Sequence, residues 1–284
     1  MTTNLSRNTC VIGWQIEHSR SPLIHGFWLK QHGIDGSYEK RAVQPAALGQ
    51  FMHSLRQGAY VGCNVTIPHK QTILSLVDEP DDRVRRTGSV NTIYKSGSKI
   101  CATSTDGQGF YANLIDHQPH YDVSKKPIVI LGAGGSARAI LDELLLQGAT
   151  KIQIFNRTYE RALELRRAFG SKIEAMAPTE LRHSLESAGL LINTTPTGLA
   201  AKESIDIPWP VIDPATIIAD IVYTPLKTRF LQEASEHGLP IVTGLGMLLH
   251  QAVVGFEKWY GVRPVVTSEL HDLVARDIDP DFQP

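Results

Sequence analysis

Several features that would place this chain in a specialised class of protein are missing from its sequence. Its three cysteines (Cys10, Cys63 and Cys101) are odd in number and lack the C-x-x-C spacing of metal sites, so they are predicted to be buried core residues. With 28 basic and 29 acidic residues, the net charge of -1 gives no electrostatic reason to bind nucleic acid or an anionic membrane. No apolar run approaches the roughly 18 residues of a membrane span, and the first residues do not resemble a secretory signal. We therefore expect a cytoplasmic protein that acts on small molecules and has neither nucleic acid nor membrane as a partner.

The hydrophobic pattern alternates between short β-rich runs and longer helical stretches, which is typical of α/β proteins with a largely parallel sheet. The predicted strands of the first third are residues 9–14, 37–43, 60–66, 90–94 and 99–103. The last two read as a hairpin that would put an antiparallel pair at one edge of the sheet. Predicted helices between these strands cover residues 22–32, 45–57 and 68–77. Each helix opens with a proline, whose missing N–H costs nothing in the first turn.

The pattern restarts after a polar stretch at residues 117–126, which indicates a domain boundary. The strands predicted beyond it are residues 128–131, 151–155, 190–193, 217–221 and 240–242. The predicted helices are residues 132–147 and 160–169. A long amphipathic helix follows from Gly244 to Tyr260, and a last helix covers residues 268–276. The second half is therefore predicted to be an α/β unit of its own.

The first strand of this second half leads through a glycine turn into a helix, which is the context that a dinucleotide-binding motif requires. Residues 132–137 read G-A-G-G-S-A, with Ala137 in place of the third glycine. Glycines let the backbone approach a pyrophosphate, and the N–H groups at the helix start attract its charge. A glycine turn can also serve only to change chain direction, so this motif alone is weak evidence.

The end of the next predicted strand favours NADPH over NADH. The carboxylate that usually binds the ribose of NAD is absent there; Asn156, Arg157 and Thr158 stand in its place, followed by Arg161. Guanidinium and hydroxyl groups would hold a 2′-phosphate that a carboxylate would repel. NADP(H) is therefore the predicted cofactor. The alternative is that both arginines are ordinary exposed residues at the start of a helix and bind nothing.

Polar residues gather at strand ends in the first half, where open α/β sheets bind ligands. Ser19 and Ser21 follow the first strand in a turn that suits a carboxylate, although such a turn can also be a simple helix cap. Asn64 and Thr66, at the end of the third strand, are expected to point the same way. Lys70 then lies in the first turn of a helix, where the dipole gives a cation no benefit. A role for its proton is a reasonable hypothesis, although its position is also that of an ordinary surface lysine.

Asp106 ends the hairpin and begins the next helix. If the substrate is a ketone that hydride reduces, a carboxylate beside Lys70 would orient the ammonium group and share the proton that must reach the ketone oxygen. The alternative is that Asp106 is an ordinary helix cap. No metal is expected, because the histidines lack i, i+4 clustering and accompanying carboxylates.

Seven short motifs occur in a fixed order across nearly the whole chain. They are H-S-R-S-P at 18–22, N-V-T-I-P-H-K at 64–70, G-S-V-N-T at 88–92, S-T-D-G at 104–107, G-A-G-G-S-A-R-A at 132–139, N-R-T at 156–158 and G-L-G-M-L-L-H-Q-A at 244–252. Together they resemble the shikimate dehydrogenase family. The resemblance implies the reversible reduction of 3-dehydroshikimate to shikimate by NADPH, in chorismate and aromatic amino-acid biosynthesis. It also implies a substrate domain over 1–107, a Rossmann-type NADP-binding domain over 108–243, helices over 244–284 that return to the first domain, and an active site in the cleft between the domains.

The resemblance further implies roles for individual residues. Lys70 and Asp106 would form the catalytic pair, while Ser19 and Ser21 would hold the substrate carboxylate with Tyr223 nearby. Ring hydroxyls would be held by Asn64, Thr66, Asn91, Asp106 and Gln251. Cofactor contacts would come from Gly132, Ala133, Gly134, Gly135, Ser136, Asn156, Arg157, Thr158, Arg161, Thr195, Ile221 and Gly244. Gln15 and Ser104 depart from the family pattern, and we expect them to alter affinity rather than abolish activity.

Three other functions fit the sequence less well. A quinate or mixed quinate/shikimate dehydrogenase using NAD would be expected to carry an acidic residue after the second Rossmann strand and to alter one of the two serines. A non-catalytic NADPH-binding sensor would be expected to lack Lys70 or Asp106. A methylene-tetrahydrofolate dehydrogenase would have no use for the Ser19 and Ser21 pair. The oligomeric state stays open, with a homodimer as one expectation.

Overall fold

The computed structural model describes residues 7–14, 16–197 and 206–283, so Gln15 lies outside the described residues. The chain divides into two compact units. The first comprises residues 1–105 and 251–274, and the second comprises residues 106–250 and 275–284. Each unit has its own six-stranded sheet with helices around it, so the predicted fold class, two α/β units, is confirmed.

The first unit contains a mixed sheet. Its strands are β1 (Asn8–Gly13), β2 (Ser37–Ala42), β3 (Gly62–Val65), β4 (Glu79–Pro80), β5 (Thr92–Ser96) and β6 (Lys99–Thr103). Its helices are α1 (Ser21–Gln31), α2 (Leu48–Arg56), α3 (His69–Thr72) and α4 (Asp82–Thr87). The strand order is β2-β1-β3-β5-β6-β4, in which β1 pairs in parallel with β2 and β3 while β5 runs antiparallel to β3 and β6. All three cysteines of this unit are free and buried, as predicted.

The hairpin was expected at one edge of this sheet, and the structure corrects that placement. Strand β4 pairs in parallel with β6 on its outer side, so β4 is the edge strand. Because β4 is only two residues long and includes Pro80, it has no hydrophobic alternation from which it could be predicted.

The second unit contains a sheet in which every pairing is parallel. Its strands are β7 (Ile128–Leu131), β8 (Ile152–Phe155), β9 (Ile173–Met176), β10 (Leu190–Asn193), β11 (Ile217–Asp220) and β12 (Ile241–Val242). Its helices include α5 (Asp106–His117), α6 (Gly135–Leu146), α7 (Tyr159–Phe169), α8 (Leu181–Ser187) and α9 (Arg229–Glu236). Every residue of β7, β8, β10 and β11 is buried, as expected for strands covered by helices on both faces.

The strand order of this second sheet is the one characteristic of Rossmann-type folds. It runs β9-β8-β7-β10-β11-β12, so the chain starts in the middle, builds outward in one direction and then returns to build in the other. The direction reverses between β7 and β10. In open α/β sheets a ligand binds at this switch point, outside the carboxyl ends of the strands.

The chain ends in α10 (Gly244–Tyr260) and α11 (Ser268–Ile278), and residues 251–274 belong to the first unit. Within that unit, Trp259 Nε1 donates to the Ile93 carbonyl at 2.8 Å, and Trp28 Nε1 donates to the Val265 carbonyl at 3.2 Å. These two indoles attach the carboxyl-terminal residues to β5 and α1. None of the helices formed by the described residues is long and apolar enough to cross a membrane.

Candidate active site

The glycine turn between β7 and α6 has the backbone geometry of a phosphate-binding loop. Gly132 has a φ of 106°, and a Cβ there would lie 2.5 Å from Thr194 Oγ1, so only glycine fits. Gly134 is the N-cap of α6, and a Cβ there would meet no described atom within 4 Å. The space in front of the first N–H groups of α6 is therefore open to a pyrophosphate. Ala137 is buried in the core, in the packing role of a third glycine. The remaining predicted residues of the turn are Ala133, Gly135 and Ser136.

A groove of about 500 Å³ lies beside the carboxyl ends of β7 and β8. Its lining includes Gly132, Thr195, Asn156, Arg157, Thr158 and Arg161. Asn156 Nδ2 donates to the Thr158 carbonyl at 2.7 Å, which holds the turn that carries Arg157. Arg157 and Arg161 are exposed, and neither forms an ion pair with any part of the chain that the structure describes. Two cations and no carboxylate among the lining residues suit a phosphate monoester.

A buried carboxylate supports the loop at Thr195, which lines this groove. Asp220 Oδ1 accepts from Asn193 Nδ2 at 3.1 Å and from Val222 N at 3.0 Å, while Oδ2 accepts from Thr228 Oγ1 at 2.7 Å. Asn193 Oδ1 in turn accepts from Thr195 N at 3.0 Å and from Thr195 Oγ1 at 2.7 Å. Burial raises the pKa of Asp220, and its three hydrogen bonds oppose that rise. The loop at Thr195 is thus fixed through two side chains that contact each other.

Two glycines at the start of α10 are packed against main chain and side chain of the second unit. A Cβ on Gly244 would lie 2.6 Å from the Ile221 carbonyl oxygen, and a Cβ on Gly246 would lie 1.8 Å from Asn113 Oδ1. Asn113 Nδ2 also donates to the Thr243 carbonyl at 2.8 Å. The structure therefore brings together Ile221 and Gly244, both of which were predicted on the nicotinamide side of the cofactor.

Polar side chains of the first unit form a continuous hydrogen-bonded row. Asn64 Nδ2 donates to the Asn91 carbonyl and to Thr92 Oγ1, both at 3.1 Å, and Thr92 Oγ1 donates to Asn91 Oδ1 at 3.1 Å. Asn91 Nδ2 donates to Thr105 Oγ1 at 2.8 Å and to Gln251 Oε1 at 3.3 Å. Thr105 donates from its N–H to Asn91 Oδ1 at 2.9 Å and from its hydroxyl to the Gln251 carbonyl at 2.8 Å. Three residues predicted to bind ring hydroxyls are therefore linked: Asn64, Asn91 and Gln251.

The two serines predicted to bind a carboxylate lie at the start of α1. Ser19 Oγ donates to Ser21 Oγ at 3.3 Å. Tyr38 connects them to the row of amides, because its hydroxyl donates to Asn64 Oδ1 at 2.7 Å and also hydrogen-bonds with Ser21. Burial raises the pKa of Tyr38, with the Ser21 hydrogen bond opposing. The Tyr38 ring stacks on His25 with 4.1 Å between ring centroids, and burial lowers the pKa of His25 to about 3.

The predicted proton-transfer residues belong to different units. Lys70 is half-buried in α3, and its carbonyl accepts from Val90 N at 2.7 Å. Thr66, just past the end of β3, is half-buried and donates from its N–H to the Ile12 carbonyl. Asp106 is the buried first residue of α5, and Tyr223 lies half-buried three residues beyond the end of β11. The second unit contains both Asp106 and Tyr223.

Several residues of these networks were not predicted. Thr92 and Thr105 stand inside motifs quoted from the sequence, so their position next to Asn91 and Asp106 was a usable signal. Tyr38 carried no such signal, because β2 is mostly exposed and lacks a clear alternation. Asp220 was hidden at the end of an apolar strand. Ser104 is buried, and its hydroxyl has no hydrogen-bond partner among the described residues.

Comparison with known proteins identifies the family. Residues 11–93 match the family model described as "Shikimate dehydrogenase substrate binding domain", and residues 115–206 match "Shikimate / quinate 5-dehydrogenase". A curated relative from Rhodopseudomonas palustris (strain HaA2), named shikimate dehydrogenase (NADP(+)), is 47% identical over 269 residues, covering 95% of both chains.

Solved structures show the same likeness. The shikimate 5-dehydrogenase of Thermus thermophilus, in complex with NADP(H) and shikimate, superposes with a TM-score of 0.85 at 33% identity, covering 95% of this chain and 98% of that one. The quinate dehydrogenase of Corynebacterium glutamicum, in complex with NAD, gives 0.86 at 25% identity, covering 95% and 98%. The two family models together cover more than half of the chain, and the curated relative covers nearly all of it, so this chain belongs to the shikimate dehydrogenase family.

Proposed function

We propose that this chain catalyses the reversible, NADPH-dependent reduction of 3-dehydroshikimate to shikimate. The observation that carries the proposal is the groove at the carboxyl ends of β7 and β8, which is lined by Arg157 and Arg161 and by no carboxylate. The same chain carries a pre-ordered row of amides and hydroxyls in its first unit, suited to a polyhydroxylated acid. The proposed division of labour is a substrate domain over 1–107, a cofactor domain over 108–243 and closing helices over 244–284.

The cofactor site fits a dinucleotide phosphate on three counts. Gly132 and Gly134 leave room for close approach at the start of α6, and the two arginines provide charge for a 2′-phosphate. Asn156, Thr158 and Thr195 complete the groove wall, and we propose Ile221 and Gly244 for the nicotinamide side. When bound, NADPH supplies the hydride that reduces the carbonyl carbon.

We propose that Ser19 and Ser21 of the first unit donate hydroxyl hydrogen bonds to the substrate carboxylate, with Tyr223 of the second unit assisting. Asn64, Thr66, Asn91 and Gln251 would hold the ring hydroxyls. Because each of these groups is neutral, their binding contribution depends on being held in place rather than on charge. The hydrogen bonds that already join Asn64, Asn91 and Gln251 supply that preorganisation.

Lys70 is proposed to donate the proton that the ketone oxygen takes up on reduction, and Asp106 to orient the ammonium group and share that proton. The ketone oxygen becomes a hydroxyl, and the lysine is left neutral until it regains a proton from solvent. In the reverse direction the neutral amine accepts the hydroxyl proton.

Steady-state kinetics with each of NADPH and NADH against each of 3-dehydroshikimate and 3-dehydroquinate would test the proposal. We expect turnover chiefly with NADPH and 3-dehydroshikimate. Equal kcat/KM for the two nicotinamides would contradict the assignment of Arg157 and Arg161. Preference for 3-dehydroquinate would replace the proposed substrate.

A quinate/shikimate dehydrogenase of broader specificity is the second candidate, favoured by the structural likeness to a quinate dehydrogenase. The presence of both Ser19 and Ser21, and of arginines where NAD binding calls for a carboxylate, argues against it. A cytoplasmic location and a homodimer also belong to the proposal. Light scattering after size-exclusion chromatography would decide between monomer and dimer.

A further inference from the structure

In the hydrogen-bonded row of the first unit, each side chain donates to the next one in the same direction. Tyr38 donates to Asn64, Asn64 to Thr92, Thr92 to Asn91 and Asn91 to Thr105, at distances between 2.7 and 3.1 Å. The Thr105 hydroxyl then donates to the Gln251 carbonyl at 2.8 Å. Tyr38 is half-buried, and the other donors of this row are buried.

Main-chain groups fix the direction of the hydrogen bonds in this row. The Asn91 carbonyl can only accept, so the amide nitrogen of Asn64 must face it and the amide oxygen must face Tyr38. The Thr105 N–H can only donate, so the oxygen of Asn91 faces it and the nitrogen faces the Thr105 hydroxyl. The orientations of both amides therefore follow from backbone geometry.

The Thr92 side chain joins the two amides directly. Its hydroxyl lies 3.1 Å from Asn64 Nδ2 and 3.1 Å from Asn91 Oδ1. A hydroxyl has one hydrogen, which goes to Asn91, and its lone pair accepts from Asn64. Without this hydroxyl, the second N–H of Asn64 would face an apolar group in a fully buried position, and the amide would gain by turning away.

We propose that Thr92 is a positioning residue, which holds the Asn64 oxygen in place as the acceptor for a substrate hydroxyl. Both N–H groups of Asn64 are used within the protein, on the Asn91 carbonyl and on Thr92, so Asn64 meets the substrate with its oxygen. A ring hydroxyl at that position must therefore act as a donor. This inference rests on the proposed function, because it assigns the shikimate hydroxyl as the group that Asn64 binds.

The test is Thr92→Val, which removes the hydroxyl but keeps the branched shape that a strand favours. Thr92→Ser restores the hydroxyl and is the rescue variant. Thr9→Val is the matched control, because Thr9 is equally buried in the same unit and its hydroxyl also makes two hydrogen bonds, to the Ser37 carbonyl and Tyr260. Kinetics with saturating NADPH and varied 3-dehydroshikimate, together with calorimetric titration of shikimate, give the readouts.

For Thr92→Val we expect KM for 3-dehydroshikimate and Kd for shikimate to rise about tenfold, as the loss of one buried neutral hydrogen bond implies, with kcat changed less than about twofold. Thr92→Ser should stay within about threefold of wild type, and Thr9→Val should equal wild type in both constants. An unchanged KM in Thr92→Val, a Thr92→Ser variant as weak as the valine variant, or the same loss in Thr9→Val would each overturn the proposal.

Thr92→Ala covers the case in which Thr92→Val fails to fold, because it also removes the hydroxyl and puts no larger group into this buried position. It should raise KM about tenfold with kcat retained, and a wild-type KM would overturn the proposal. If wild-type protein neither binds shikimate nor reduces 3-dehydroshikimate, the proposed function fails and this inference fails with it. An active wild type with unaffected variants overturns this inference alone.

Discussion

Substituting Gly132 and Gly134 by alanine, one at a time, separates the two demands that the glycine turn makes on the chain. At Gly132 the backbone has a φ of 106°, and a Cβ would lie 2.5 Å from Thr194 Oγ1 and 3.1 Å from Thr195 Cγ2. The unfavourable φ costs about 1–3 kcal/mol, and relieving the contacts adds to that, so Gly132→Ala should lose about 2–4 kcal/mol of unfolding free energy. At Gly134 the φ is -87°, which any residue adopts, and a Cβ would meet no described atom. Gly134→Ala should therefore stay within about 1 kcal/mol of wild type.

For NADPH binding we expect the opposite order, with Gly134→Ala the more damaging variant. A methyl group on Gly134 enters the space that we assign to the pyrophosphate, so KM for NADPH should rise at least about tenfold, which corresponds to about 1.4 kcal/mol. Differential scanning fluorimetry without cofactor should show Gly132→Ala melting about 5–12 °C below wild type and Gly134→Ala within about 3 °C of it. NADPH titration by fluorescence supplies the second readout. A Gly134→Ala variant that binds NADPH as wild type does would refute the assignment of this turn to the pyrophosphate.

Three further changes test other parts of the molecule. Replacing both Arg157 and Arg161 by alanine should raise KM for NADPH about tenfold and leave KM for NADH unchanged in steady-state assays, because only the 2′-phosphate loses its partners; equal loss for both cofactors would contradict this. Lys70→Ala should lower kcat at least about a hundredfold with little change in KM, while Lys30→Ala, an exposed lysine of α1, serves as control; an active Lys70→Ala would remove lysine from the proton path. Because the folded-state pKa of His25 is lowered to about 3, the unfolded chain binds a proton that the folded chain does not between about pH 6.5 and pH 3, so stability falls as pH drops. Urea denaturation at pH 7 and pH 5 should show wild type losing about 2 kcal/mol more than His25→Phe, and equal losses would mean that His25 is protonated in the folded state.

The sequence predicted those parts of the fold that depend on local pattern. Strand β7 is apolar throughout, and β8, β10 and β11 each contain one polar residue, because both faces of these strands are buried; all four therefore stood out clearly. The glycine turn was visible because Gly132 and Gly134 satisfy a local backbone requirement. By contrast, β4 and β9 were not predicted. Strand β4 is held by pairing with β6 over two residues, and β9 has a mostly half-buried sequence with no alternation.

Long-range hydrogen bonding explains what was missed in the site. The Tyr38 hydroxyl reaches Asn64 across 26 residues of sequence, and Thr105 reaches Gln251 across 146. No local propensity encodes such contacts, because they exist only once the strands and the carboxyl-terminal helix have assembled. The motifs located Asn64, Asn91 and Gln251 through family resemblance, while their supporting hydroxyls required a structure.

The packing of Gly244 and Gly246 limits how this end of the second unit can be engineered. A side chain at either position would overlap the Ile221 main chain or Asn113, so enlarging these residues offers no route to a different cofactor range. Libraries aimed at nucleotide preference should hold both glycines constant and vary positions 157 and 161, whose side chains face solvent. A natural chain that retained this glycine pair but carried acidic residues at those two positions would be expected to keep the fold and use a nucleotide without the extra phosphate.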